Sequence, residues 1–281
     1  MKEIKVGSLF SGIGGMELGL SRAIPNLRPV WFCEQNTFGQ SILSKHWSGV
    51  PIYDDVRNIN KSNVESIDIL TGGFPCQDIS VQGNKKGVNH GEKSGLWWEM
   101  WRIVRDLRPR IVIMENVSNI LRLGGTDVVG SLAEIGYCVE WEIVSARQFG
   151  APHLRKRWFG VAYLTDTRRP IAGNRTEIPV DMATGRRIKH GVGFRCQGLS
   201  TFWNNKRPSD FEKIGFESSI CRVDDGIPPE LDKTEQRKLK KIHNERLKSL
   251  GNAIVPACSE YVGRCIVQSG LLDDFFSGGE Q

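Results

Sequence analysis

One segment constrains the fold more than any other. Ile4–Phe10 is a short apolar run that stops at Ser11-Gly12-Ile13-Gly14-Gly15, and a helical pattern with Met16, Leu18, Leu20 and Ala23 apolar begins at once. A strand that ends on glycines and passes straight into a helix is the opening of a β-α-β unit. Glycines there let the backbone approach a ligand, and the helix start offers free N–H groups. The spacing is not Gly-x-Gly-x-x-Gly, because position 17 is Glu, so a dinucleotide is disfavoured. Taken alone, the turn does not separate a ligand cradle from a tight connection.

The alternation continues. Pro29–Glu34 reads as a second strand, and Asn36 can cap a helix through Trp47. Asp68–Gly72 reads as a third strand. Gly95–Leu107 is a strongly apolar helix, and Arg110–Met114 is a continuous apolar run, as expected of a strand buried on both faces. Thr126–Ile135 is a further helix; Tyr137–Ala146 and Trp158–Leu164 are two more strands. The expectation is an α/β, doubly wound, Rossmann-like domain with a mostly parallel sheet over residues 1–165. Beyond it, residues 166–222 are rich in Gly, Arg, Asn and Pro and show no period. Residues 166–248 are expected to form a small irregular domain, with Leu231–Leu250 helical. A segment 249–281 then returns to the first domain, with a helix over Pro256–Leu271.

Charge separates these regions. Residues 166–248 hold 18 Lys and Arg against 12 Asp and Glu, whereas the rest of the 281-residue chain holds 20 of each. The net charge of +6 therefore arises in one stretch, which suggests a polyanion such as nucleic acid, or else a plain solvated surface. With 39% hydrophobic and 25% charged residues, the composition excludes disorder of the whole chain. No apolar run approaches the ~18 residues of a membrane helix, and Met1–Lys5 carries no signal stretch, so a cytoplasmic protein without a membrane partner is expected. The seven cysteines include no Cys-x-x-Cys pair, so neither a disulfide framework nor a zinc ribbon is expected. Most should be buried thiols, and no metal is expected.

Three stretches carry residues suited to chemistry. Glu34, at the end of the second strand, can accept hydrogen bonds from both ribose hydroxyls of a nucleoside, and Asp55 can meet an adenine amino group. Cys76, in Gly72-Gly73-Phe74-Pro75-Cys76-Gln77, follows a buried strand at the carboxyl edge of the sheet; it is either a nucleophile or a buried structural thiol. Glu115 follows the strand Arg110–Met114, at the mouth of the sheet. There its pKa should rise, so that the protonated acid can donate to a ring nitrogen, unless it merely pairs locally.

Together these stretches resemble the DNA (cytosine-5)-methyltransferases that use S-adenosylmethionine. The resemblance rests on Phe-Ser-Gly-Ile-Gly-Gly at 10–15, Gly-Phe-Pro-Cys-Gln at 73–77, Glu-Asn-Val at 115–117, Arg155-Lys156-Arg157 and Leu250-Gly251-Asn252-Ala253, five motifs in the family's order. It implies a methyltransferase domain with a target-recognition region between Arg157 and Gly251, where the basic excess lies. It implies that Phe10, Ser11, Gly12, Ile13, Gly14 and Pro75 line the cofactor site, that Glu34 holds the ribose, that Asp55 and Val56 meet the adenine, and that Leu96 and Asn252 complete the pocket. Cys76 would attack C6 of a flipped cytosine. Glu115 would bind N3 and the exocyclic amine, and Arg155 and Arg157 would help hold the base. The loop Ser80–Gly87 would close over double-stranded DNA, with Ser80 or Gln82 filling the vacated base position and Lys85 and Lys86 meeting phosphates. S-adenosylhomocysteine would be the product. A monomer is expected, since base flipping needs one active site.

Overall fold

A computed structural model describes residues 2–75, 95–164 and 233–276. Cys76, the loop Ser80–Gly87 with Ser80, Gln82, Lys85 and Lys86, and residues 165–232 lie outside the described residues. The strands are β1 (Ile4–Leu9), β2 (Leu27–Cys33), β3 (Ile52–Tyr53), β4 (Ile69–Gly72), β5 (Ile111–Val117), β6 (Tyr137–Ser145) and β7 (Lys156–Leu164). The helices are α1 (Gly15–Ala23), α2 (Thr37–His46), α3 (Leu96–Leu107), α4 (Ile120–Leu123), α5 (Gly125–Glu134), α6 (Lys233–Asn252), α7 (Pro256–Gln268) and α8 (Asp273–Phe276).

The described residues form a seven-stranded sheet in the order β3-β2-β1-β4-β5-β7-β6. The pairs β1–β2, β2–β3, β1–β4 and β4–β5 are parallel. Only β7 runs antiparallel to its neighbours, inserted between β5 and β6. The chain winds from β1 outward to β3, then crosses back to β4 and winds the other way. The switch point therefore falls between the carboxyl ends of β1 and β4, where ligands of open α/β sheets bind. Both the glycine turn and the Gly73-Phe74-Pro75 stretch emerge there.

Each face of the sheet has its own core. One holds Ile4, Val6, Ile111 and Ile113 with Met16 and Leu20 of α1 and Tyr261, Val262 and Ile266 of α7. The other holds Leu9, Trp31, Val112 and Met114 with Trp97, Met100 and Val104 of α3. The alternation along β5 explains why its sequence is apolar without a period. α1 and α7 meet very closely: a Cβ on Gly19 would overlap the Pro256 carbonyl and the Ser259 hydroxyl, and one on Gly263 would crowd Ala23. α7 is thus packed on α1, with Pro256 opening the helix.

Asn36 caps α2, its side chain accepting from the Gly39 N–H. Some boundaries differ from the sequence reading. β5 continues through Glu115 and Asn116 to Val117, because the antiparallel partner β7 extends its hydrogen bonding past the apolar run. β3 has only two residues, too few for a pattern to register. α6 runs on to Asn252, two residues past the expected end. Leu18, an apolar position in the α1 pattern, is 40% exposed. No helix among the described residues is long and apolar enough to cross a membrane.

Candidate active site

On the first side of the switch point, the chain leaves β1 in an unusual conformation. Phe10 holds φ 54, and Gly12 and Gly14 follow at φ 57 and 79. A left-handed non-glycine residue is uncommon, and such strain gathers at ligand sites. Gly14 is doubly constrained, because a side chain there would also strike the Trp47 indole. Among the described residues nothing lies within 4 Å of where a Gly12 Cβ would stand. Space for a ligand thus faces that backbone.

Glu34, just past β2, clamps this turn. Its Oε2 accepts from the Gly12 N–H at 2.6 Å and its Oε1 from the Asn36 N–H at 2.7 Å. Each carboxylate oxygen keeps a second lone pair, so a diol can still be accepted. Ser11 is turned inward: its hydroxyl accepts from Ser8 at 2.8 Å and lies 3.3 Å from the Cys33 carbonyl. Asp55 caps the short turn Val56–Asn58, accepting from the Arg57 N–H at 2.9 Å. The Val56 side chain is buried in the core. Leu96 is half-buried at the start of α3; Pro75 and Asn252 are exposed.

Sequence reasoning missed Arg102. From α3 its guanidinium donates to the carbonyls of Ile59 at 2.9 Å, Val56 at 3.2 Å and Arg57 at 3.4 Å, fixing the segment that carries Asp55. The one available signal was a cation set into a helix that is otherwise mostly apolar.

Glu115 dominates the other side. In the β5–β7 register Val117 faces Arg157 and Glu115 faces Phe159, which puts the Glu115 and Arg157 side chains on one face as diagonal neighbours. Arg157 Nε lies 2.9 Å from Glu115 Oε1. Burial pushes the Glu115 carboxyl up to about 7, although Arg157 and Arg155 pull it down. The acid is thus near half-protonated at neutral pH, as the sequence suggested. Its Oε2 stands 3.3 Å from where a Gly73 Cβ would be, so the carboxyl reaches the chain three residues before Cys76. Asn116, fully inside, donates from its side chain to the Phe74 carbonyl at 2.8 Å and holds that approach in place. The motif 115–117 marked Asn116, but its role was not legible.

Arg155, at φ 27, does something different from Arg157. Its guanidinium donates to the carbonyls of Gly251 at 2.7 Å and Ala253 at 2.6 Å, gripping the backbone on both sides of Asn252. A Cβ on Gly15 would overlap the Ile254 carbonyl, so the same C-terminal stretch also lies against the glycine turn. Arg155, Glu115, Gly73, Gly15 and Ala253 thus converge on one edge. Cys33 and Cys258 are buried thiols pushed up to about 12, chiefly by desolvation, which makes neither a nucleophile. Cys265 is also buried. Cys138 departs from that expectation and is disulfide-bonded.

The model of the C-5 cytosine-specific DNA methylase family matches residues 4–192. The chain belongs to that family. Among curated relatives of the chain, type II methyltransferase M2.BsuMI of Bacillus subtilis (strain 168) is 36% identical over 176 residues, covering 60% of the chain and 44% of the relative. M.CviJI of Paramecium bursaria Chlorella virus IL3A is 39% identical over 160 residues, covering 56% and 42%. The chain thus matches less than half the length of either relative. Among solved structures, the Schizosaccharomyces pombe Dnmt2 methyltransferase aligns over 97% of the chain and 99% of its own with TM-score 0.51 at 16% identity. Entamoeba histolytica methyltransferase EhMeth aligns over 98% and 99% with TM-score 0.54 at 16% identity. At that identity they bear on the fold alone, which is that of a Rossmann-like methyltransferase domain.

Proposed function

We propose that the chain is a site-specific DNA cytosine-5 methyltransferase acting on a flipped cytosine through a covalent bond between Cys76 and C6. The observation that carries this reading is the Glu115–Arg157 pair at the mouth of the sheet, its carboxyl near half-protonation and lying against Gly73, three residues before Cys76. The Gly12 turn and the Glu34 carboxylate fit S-adenosylmethionine, with open space over one and free lone pairs on the other. When bound, that cofactor supplies a sulfonium methyl group and leaves as S-adenosylhomocysteine.

Cytosine C5 is a poor nucleophile until a thiolate adds to C6. Cys76 forms that bond, and the ring electrons move toward C5 and N3. Glu115 donates its proton toward N3 as charge builds there, and the positive Arg157 stays beside it. Once C5 carries the methyl group, its proton leaves to a base, the thiolate is expelled from C6 and N3 returns its proton to Glu115, restoring the ring. The faces of the ring are covered in duplex DNA, so the base must first leave the stack. In this reading residues 166–248 form the target-recognition region and 249–281 complete the catalytic domain, while Ser80, Gln82, Lys85 and Lys86 meet the DNA. The type II names of the relatives, one of them viral, support a restriction-modification or phage setting.

The test is conversion sequencing of DNA from a methylation-free bacterial host expressing the chain beside its Cys76→Ala variant. Methylated cytosines in one sequence context, absent with the variant, are expected. No methylation by folded, cofactor-binding protein would overturn the reading and direct the next assay to tRNA.

A further inference from the structure

The basic excess of the chain is not spread over the 83 residues in which it was located. Helix α6, Lys233–Asn252, holds seven lysines and arginines against two glutamates, so it accounts for five of the six net positive charges of the whole molecule. Its charges are also segregated. At 100° per residue, Arg237, Lys240, Lys241, Asn244 and Lys248 fall within one ~100° stripe. All five are exposed. Glu245 lies outside the stripe, at its flank. Arg246 is exposed as well but points about 180° away from Arg237. The stripe spans 12 residues, whose 11 steps make about 16 Å of helix at ~1.5 Å per residue.

An amphipathic helix normally uses its apolar stripe to reach the core. Here Leu247 and Leu250 are 47% and 40% exposed, so these two apolar side chains of the last turns are not sealed in the core. Yet the end of the helix is fixed. Arg155 grips the Gly251 and Ala253 carbonyls next to Glu115. The C-terminal end of the helix is therefore anchored near Glu115, three residues after Lys248 of the positive stripe.

We propose that this stripe is a phosphate track: Arg237, Lys240, Lys241 and Lys248 engage the sugar-phosphate backbone of the duplex flanking the target cytosine, without reading bases. The occupant is set by charge complementarity. Duplex DNA presents one negative charge per ~1.7 Å of axis, so about 16 Å of cationic helix meets several phosphates, and the displaced counterions supply the affinity. Asn244 adds a neutral donor to the same row. The inference rests on the DNA reading proposed above and divides the recognition region: α6 contributes affinity, and target choice lies elsewhere in 166–232.

The test is fluorescence anisotropy of the full chain on cognate and non-cognate duplexes from 50 to 300 mM salt, with methylation rates alongside. The triple variant Lys240→Gln/Lys241→Gln/Lys248→Gln is expected to bind both duplexes more weakly by the same factor. The slope of log affinity on log salt should become shallower by about 2 to 3. Its rate at saturating DNA and its affinity for S-adenosylmethionine should stay as in the unaltered chain. The triple Lys→Arg variant should keep the slope, and Arg246→Gln, off the stripe, should leave it within about 0.3. A slope unchanged in the triple Gln variant, or changed equally by Arg246→Gln, overturns the phosphate track. If the unaltered chain methylates DNA while this happens, only the track falls. If the unaltered chain neither binds nor methylates any duplex, the DNA reading falls and takes the track with it.

Discussion

Arg157→Met would make the electrostatics of the site measurable. Methionine keeps most of the length and apolar stem of arginine and removes its charge. The Nε–Oε1 separation of 2.9 Å puts the charge centres about 4 Å apart, which corresponds to about 4 kcal/mol at an effective dielectric near 20. At 1.36 kcal/mol per pH unit that is an upper bound of about 3 units on the Glu115 pKa. The two side chains keep 21% and 11% of their exposure, and Arg155 still acts on the carboxyl, so roughly half of that bound is the expected effect. The Glu115 midpoint should therefore rise upward from about 7 in Arg157→Met. The assay is an infrared titration of the protonated carboxyl band, assigned by its loss in Arg157→Met/Glu115→Gln. The linkage has a definite sign. A carboxyl whose folded pKa is raised above the ordinary 4.5 favours folding fully below 4.5, and that advantage is lost as pH rises through about 7. Denaturant unfolding of the unaltered chain should thus weaken by about 3 kcal/mol across that window, and in Arg157→Met the loss should continue to higher pH. Arg157→Lys should behave like the parent in both measurements. A midpoint in Arg157→Met that stays or falls would refute the assignment of burial as the raising cause and Arg157 as the opposing one.

Two further expectations concern residues away from the reacting atoms. Arg102→Met removes the fork that holds the Val56, Arg57 and Ile59 carbonyls, so the KM for S-adenosylmethionine should rise about tenfold, the scale of ~1.4 kcal/mol, while kcat changes less than twofold; a loss confined to kcat would show that this segment does not meet the cofactor. Gly19→Ala sets a methyl group against the Pro256 carbonyl and the Ser259 hydroxyl and should cost about 2 to 3 kcal/mol in denaturant unfolding, and unchanged stability would mean that the α1–α7 contact yields more easily than its geometry indicates.

The residues differ in how far the sequence alone reveals them. β5 was legible because a strand covered on both faces is apolar throughout, as Ile111–Met114 is, whereas β1 and β4, which carry Lys5, Ser8 and Thr71, were legible from their short apolar cores and the glycines that end them. The end of β5 was not, since what carries it through Glu115 and Asn116 is hydrogen bonding from β7, a partner 40 residues downstream. Glu34 and Glu115 were legible as acids at strand ends. Their actual partners, the Gly12 N–H and Arg157, follow from sheet register, which no local pattern states. Arg155 illustrates the limit most clearly. Its position in the Arg155-Lys156-Arg157 motif suggests a hand on the base, yet its guanidinium donors go to carbonyls nearly 100 residues away.

That grip explains how a sheet can build one site from both ends of the chain. The switch point brings the turn after β1 and the stretch after β4 side by side, but each is only a few residues of backbone and neither can close a site alone. Glu34 ties the first to β2, and Asn116 ties the second to β5. The remaining side is closed by the stretch 251–254, which touches Gly15 of the first and lies against Gly73 of the second, held by Arg155 from β7. The antiparallel strand is what makes this possible. By running opposite to its neighbours, β7 starts at the edge where the parallel strands end, so that Arg155, just before it, and Arg157, within it, arrive beside Glu115 from the direction no parallel strand could supply.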